Sequence, residues 1–321
     1  MEATNSILSN FKQYSRAGSR LIKGISRPYP VQSDPADISC VPFFIISSGR
    51  SGSTLLRAII NQHPSVCIPP ESHVLGHVIR KFKSWIRFLP WEYVVRLVIS
   101  EFQIKYPGFG FWELDLFRFY PIALKLPKER RSLAKVIDIF YRFYVQEKKP
   151  TATRWGDKSI ANAFFLPLID ELYPNARYVL LIRDGRDVSV SLVAADTTPV
   201  TDVGRAADYW LRSVTQARRF LARLDSSRYL EIFYENLVQR PEPVVERLYD
   251  FLGLDYIPEA LQFWRNVDSL SDANREIHKN LRKPINMNSI GKWRKQLSQE
   301  GQSVLQNILQ DKLVELNYPI D

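Results

Sequence analysis

Cysteine is almost missing from this chain: Cys40 and Cys67 are the only two in 321 residues. Two thiols cannot make a disulfide framework, so the fold must rest on its apolar core, and a reducing, cytoplasmic compartment is expected. No apolar stretch approaches the roughly 18–20 residues of a membrane span. The first residues read without a signal-peptide h-region, and neither an internal repeat nor a low-complexity tract is present. What the chain does have is a hydrophobic fraction of 45% and a formal net charge of +10. The first suffices for one large α/β domain, or two at most. The second fits an anionic ligand or surface, or a basic solvated face without a partner.

Residues 1–40 read as an N-terminal extension ending in a linker, and 41–321 as one domain. In the extension Lys12, Arg16, Arg20 and Lys23 mix with Leu8, Phe11, Leu21 and Ile22. That pattern suits a basic amphipathic helix, which makes residues 1–30 candidates for peripheral contact with a membrane; capping the domain is the plainer alternative. "SRPYPVQSDP" then reads as extended. From Val41 the run "VPFFIIS" predicts a buried parallel strand, and "GSTLLRAIINQHP" a helix stopped by Pro64. "SVCI" reads as a short second strand. "RYVLLIRD" at 177–184 and "RYLEIFYENL" at 228–237 predict two more, each running into a helix, and Gly253 is placed to end the helix "PEPVVERLYDFLGL". Alternating strands and helices argue for an α/β fold with a central parallel sheet between helical layers. Residues 75–150 differ. Dense in aromatic and basic residues, as in "RKFKSWIRFLPWEYVVRL", they predict a mostly helical insertion over the active-site end of the sheet, on the acceptor side. Aromatics between Lys and Arg can stack on bases. Helical spacing favours packing instead, and with no nucleic-acid module present no nucleic-acid partner is expected.

The chemistry starts at "IISSGRSGSTLLR", residues 45–57. A strand, a loop of small residues and a helix N-terminus make an anion site, because first-turn amides and the helix dipole both favour negative charge. In the stretch Gly49–Thr54, Gly49 and Gly52 permit tight turns and close approach. Arg50 adds a planar charged fork, and Ser51, Ser53 and Thr54 add hydroxyls. The whole is a P-loop-type arrangement. Laid over the Walker A pattern, however, Ser53 stands where an ATP loop needs its lysine. An ATP-dependent kinase is therefore the weaker reading, and a non-enzymatic scaffold that holds an anion is a third. "RDGRDVSVS" supplies a second anion site: Arg183 leaves a buried strand and Ser191 follows eight residues on, in the next helix. Ligands of open α/β sheets bind at the carboxyl ends of strands, so two such sites imply a ligand with two separated anionic groups. His73 and His77, four apart, lack the internal Glu of a zinc helix and any evident third ligand, so no metal is expected.

"SGRSGSTLLR", "RDGRDVSVS", "FYENLVQRPEPVVERLYDFLGL" and "IGKWRK", in that order over about 41–316, resemble the landmarks of the sulfotransferases that use 3′-phosphoadenosine-5′-phosphosulfate (PAPS). Within them the chain is most similar to the protein-tyrosine sulfotransferases, through "RSGSTLLRAIINQHPSVCIPPESHVL", "GDKS", "RDGR" and "KPINMNSIGKW". The resemblance implies that residues 49–54 hold the 5′-phosphosulfate and that Arg183 and Ser191 hold the 3′-phosphate. It implies that Glu71 is the general base for the acceptor hydroxyl, and that Arg50 and Lys158 sit at the oxygen bridging sulfate and phosphate. It also implies that Tyr234 meets the nucleotide, and that Arg282, Lys283 and Ser289 lie on a late loop over the 3′-phosphate. The protein-tyrosine enzymes' Glu-Thr-Arg reads Glu71-Ser72-His73 here, so an arginine facing an acidic peptide acceptor is replaced by His73. The acceptor implied is a hydroxyl on a peptide, carbohydrate, lipid or small molecule.

Overall fold

The computed structural model describes residues 27–38, 40–105, 107–195, 200–270, 272 and 280–320. The proposed basic amphipathic helix lies outside them, up to residue 26. Five strands form one all-parallel sheet: β1 (Phe43–Ser47), β2 (Val66–Cys67), β3 (Arg154–Lys158), β4 (Arg177–Ile182) and β5 (Tyr229–Phe233), in the order β2-β3-β1-β4-β5. β1 lies at the centre, with Ile45 opposite Lys158 of β3 and Val179 of β4. The parallel α/β expectation is met, and so are the strands read at 41–47, 65–68, 177–184 and 228–233.

β3 is the strand that the apolar pattern does not announce. Its sequence, "RWGDK", carries three charges, yet Trp155 to Lys158 are buried. Flanking strands, rather than propensity, hold this segment extended, and its polar side chains find partners inside the protein.

Alternation along the central strands builds two cores. Phe44 and Ile46 of β1, with Tyr178, Leu180 and Ile182 of β4, face one apolar cluster; Phe43, Ile45, Val179 and Leu181 face the other. Helix α1 (Ser53–Ile60) packs in the second cluster. The first cluster takes four helices from the 75–150 segment: α2 (Leu75–Ser84), α3 (Trp91–Lys105), α4 (Leu116–Leu124) and α5 (Leu133–Lys148). Their aromatics pack on one another, as where Trp112 stacks on Phe140 at 5.5 Å between centroids. Helices α6 (Leu166–Leu172), α7 (Gly185–Val193) and α8 (Val203–Leu221) follow on the same side. After β5 come α9 (Tyr234–Gln239) and α10 (Pro241–Leu252), which Gly253 ends in the left-handed conformation at φ 67°. The short α11 (Trp293–Gln296) and the long α12 (Gln299–Glu315) close the described chain.

One buried ion pair ties a distant segment to the sheet. Arg57 on α1 holds both carboxylate oxygens of Asp272 at 2.8 Å, and the pair is almost wholly shielded from solvent. Among the described residues no helix is long and apolar enough to cross a membrane. Cys40 and Cys67 are free thiols, and burial pushes the Cys67 thiol up to about 11.

Candidate active site

Every strand of the sheet delivers a side chain to one cavity at its carboxyl end. Arg50 follows β1, Glu71 follows β2, Lys158 ends β3, Arg183 follows β4 and Tyr234 follows β5, and all five line a cavity of about 660 Å³. That location is where open parallel sheets bind ligands, and the size suits a small molecule.

The loop after β1 is set by two residues at positive φ, Arg50 at 65° and Gly52 at 95°. Gly52 caps α1 without any side-chain hydrogen bond to the helix end, which leaves the first-turn amides to the ligand side of the chemistry. A Cβ on Gly52 would stand 2.5 Å from the Tyr234 ring. Gly52→Ala is therefore expected to cost about 1–3 kcal/mol of stability. Denaturant unfolding measures it, and an unchanged midpoint would contradict this account of the loop. The Ser48 and Ser51 hydroxyls bond each other at 2.6 Å within the turn. Ser51 thus braces the loop, and its residue is not among those lining the cavity.

The cations are arranged without enough anions to match them. Arg50 donates through Nε to Ser191 Oγ at 3.1 Å, so the two predicted anion sites meet. Burial, then the neighbouring Arg183 charge, lowers the Arg50 guanidinium from its ordinary value. Arg183 lies 4.7 Å over the Tyr234 ring and donates to the carbonyls of Arg50 and Ser289. Its nearest carboxylate, on Asp187, is 3.9 Å away. Its Nε is buried with no hydrogen-bond partner among the described residues. Two guanidinium groups that repel, one with an unmet buried donor, are the setting an oxyanion relieves.

Lys158 is 3% exposed and bridges Thr54 Oγ1, at 3.1 Å, and Glu71 Oε1. His73 Nε2 lies 2.7 Å from the other Glu71 oxygen. Burial works to raise the Glu71 carboxyl, but the Lys158 charge and then the His73 hydrogen bond hold it well below the usual carboxylate range. His77 does not share this site: its ring packs edge-on against Phe165. No group of three metal-ligating side chains occurs among the described residues.

The late loop is fastened by residues of "RDGRD". Asp187 accepts from the amides of Gly291 at 2.7 Å and Trp293 at 3.1 Å, and Arg186 stacks 4.2 Å over the Trp293 ring. The loop sends Lys283, Ser289 and Lys292 to the cavity. Arg282 is not brought there; it pairs with Asp268 at 2.7 Å on an exposed surface. Asn280 to Arg282 form a helical turn, closed by the Lys283 amide on the Asn280 carbonyl at 3.3 Å, and Arg282 leaves it toward Asp268 while Lys283 faces the cavity. Of the other sequence candidates, Gly49, Arg50, Gly52, Ser53, Thr54, Glu71, Lys158, Arg183, Ser191 and Tyr234 line the cavity. No residue from 75–150 does, among those described; the apolar wall near Gly49 is instead Ile160 and Leu192, each 3.5 Å from where a Gly49 Cβ would stand. Asp187 and Lys292 carry no signal of their own in the sequence, although they stand inside "RDGRDVSVS" and "IGKWRK".

A loop of small residues that leads from a parallel strand into a helix N-terminus, facing a carboxylate and further cations, is a P-loop-type arrangement. The model of the Sulfotransferase family matches residues 42–258, more than half of the chain, and the protein belongs to that family. It is 23% identical to a putative protein-tyrosine sulfotransferase of Caenorhabditis briggsae over 256 residues, 78% of this chain and 79% of that protein. It is 26% identical to nodulation protein NoeE of Sinorhizobium fredii over 313 residues, 88% of this chain and 67% of that one. It spans only 64% and 46% of the protein-tyrosine sulfotransferases of Caenorhabditis elegans and Drosophila melanogaster that it also matches. The solved sulfotransferase domain from the curacin biosynthetic pathway shares the fold, with a TM-score of 0.57 at 24% identity over 92% of this chain and 100% of that one.

Proposed function

We propose that the protein transfers a sulfuryl group from PAPS to an acceptor hydroxyl, with Glu71 as general base. One observation carries the reading: a carboxylate and three cations from separate strand ends converge on one cavity beside a helix N-terminus. The buried, unpartnered Nε of Arg183 fits a second anionic group such as a 3′-phosphate. In the proposed scheme the acceptor oxygen bonds to sulfur as the bond from sulfur to the bridging oxygen breaks, and adenosine 3′,5′-bisphosphate leaves. Glu71 takes the acceptor proton. Arg50, Lys158 and the amides of the first turn of α1 offset charge on the departing oxygen, each such donor contributing about 10²–10³ in rate. Arg183, Ser191, Lys283 and Ser289 hold the 3′-phosphate, and Tyr234 packs beneath Arg183. The transferred group carries less charge than a phosphoryl group, so the scheme calls for no divalent metal.

In this scheme Ile160, Leu192 and His73, all of which line the cavity, serve the acceptor in place of a second arginine fork. The relatives' names point to tyrosine, while this lining also suits a hydroxyl on a carbohydrate, lipid or small alcohol. A transfer screen with sulfur-labelled PAPS across peptide, sugar, lipid and alcohol acceptors tests the proposal. Label is expected in one acceptor class and to depend on PAPS. Transfer from ATP with magnesium, and none from PAPS, would support the kinase reading instead.

A further inference from the structure

Glu71 is proposed to act from a segment that belongs to no helix or strand, between β2 and α2. Two residues on, His73 adopts φ 55°, the left-handed region that a residue with a Cβ enters at a cost. The backbone amides of Ser72 and His73 both point at one buried hydroxyl, Ser159 Oγ, at 3.1 and 3.3 Å. Ser159 is fully buried and in turn donates to Asp157 Oδ2 at 3.3 Å. Asp157, also fully buried, is held by the Tyr141 hydroxyl at 2.7 Å and by Asn162 Nδ2 at 2.5 Å.

The pleat of β3 explains why these groups are neighbours in sequence. Successive side chains of an extended segment alternate in direction, so Asp157 and Ser159 turn toward Tyr141 of α5 while Lys158 between them enters the cavity. One stretch, Asp157-Lys158-Ser159, therefore fixes both the ammonium and, through two amides, the turn that carries the carboxylate. The spacing between base and cation thus depends on one short segment of chain and two hydrogen bonds rather than on two independent loops.

We infer that Ser159 is the positioning residue for Glu71, acting through the Ser72 and His73 amides; the inference rests on the proposed base. Ser159→Ala is expected to lower kcat by about 10–10²-fold, the range in which a misplaced reacting group acts. Acceptor KM and the Kd for adenosine 3′,5′-bisphosphate stay near wild type, because the donor's own contacts are untouched. Ser159→Thr, which keeps the hydroxyl, is expected to recover most of the rate. If Ser159→Ala does not fold, Ser159→Cys carries the same expectation, since it keeps the volume but accepts hydrogen bonds poorly. Glu71→Gln is measured alongside. If Glu71→Gln is fully active, the base reading fails. If Glu71→Gln is inactive and the Ser159 variants turn over like wild type, the positioning inference fails. A parallel loss of kcat and of bisphosphate affinity in all three Ser159 variants would mean a structural role only, and would also overturn it.

Discussion

Glu71→Gln is expected to lower kcat for sulfuryl transfer by about 10²–10⁴-fold, the share that a positioned general base contributes. Affinity for adenosine 3′,5′-bisphosphate stays the same or tightens, because Lys158 no longer has a carboxylate competing for its ammonium. The pH dependence carries a second, sharper expectation. In the free protein burial would raise the Glu71 carboxyl, and Lys158 followed by His73 overrides it and holds the group low. A depressed carboxyl stabilises the folded state above its unfolded pKa, and that contribution is lost as pH falls through the lower folded value. Glu71→Gln therefore removes stability at neutral pH and flattens the acid side of the stability profile. A carboxylate held so low is also a weak base. Donor anions that draw the Lys158 ammonium leave burial to raise the carboxyl again. The acid limb of kcat, which reports the loaded enzyme, is thus expected at higher pH than the Glu71 titration of the free protein. Steady-state pH profiles and carboxyl NMR titration make the comparison. Coincident midpoints would show that Lys158 never leaves Glu71.

Arg183→Ala is expected to weaken adenosine 3′,5′-bisphosphate by about 10–10²-fold and AMP hardly at all. A charge-assisted hydrogen bond contributes about 1.5–3 kcal/mol, which converts to that range. The selectivity follows from placement. Arg183 stands after β4 beside Ser191 and the Ser289 carbonyl, while Thr54 and Lys158 serve the other end of the cavity. The variant also gives up its stacking on Tyr234 and its bonds to the Arg50 and Ser289 carbonyls, so a modest loss of thermal stability accompanies it. Equal losses for both nucleotides, read by calorimetric titration, would mean that Arg183 holds the loops rather than the 3′-phosphate.

Much of this architecture could be read in the sequence because parallel strands buried on both faces are plain apolar runs, as in "VPFFIIS" and "RYVLLIRD". β3 escaped that signal because Arg154, Asp157 and Lys158 interrupt it. Lys158 lines the cavity and Asp157 is buried against Tyr141 and Asn162, so the strand lacks the apolar pattern that marks its neighbours. Motif spacing found Arg50 and Arg183, which follow the strands that could be read, whereas Lys158, at the end of β3, came only from the family resemblance. It could not separate Lys283 from Arg282, whose side chains diverge on an irregular loop. Contacts between distant segments left still less trace. Arg57 with Asp272, Ser159 with the Ser72 and His73 amides, and Asp187 with Gly291 and Trp293 join positions from 86 to 215 residues apart. Residues 75–150 were rightly read as helical and aromatic, but the packing of Trp112 and Phe140 is a local matter that does not reveal which end of the sheet it covers.

The donor assignment is the centre of the account, and a direct titration tests it. Wild-type protein is titrated with adenosine 3′,5′-bisphosphate and with AMP by calorimetry, without metal and again with magnesium. The account predicts that the bisphosphate binds at least tenfold more tightly, about 1.4 kcal/mol or more, with no need for magnesium. Equal affinity for the two nucleotides, or binding that requires magnesium and favours ATP, would contradict it.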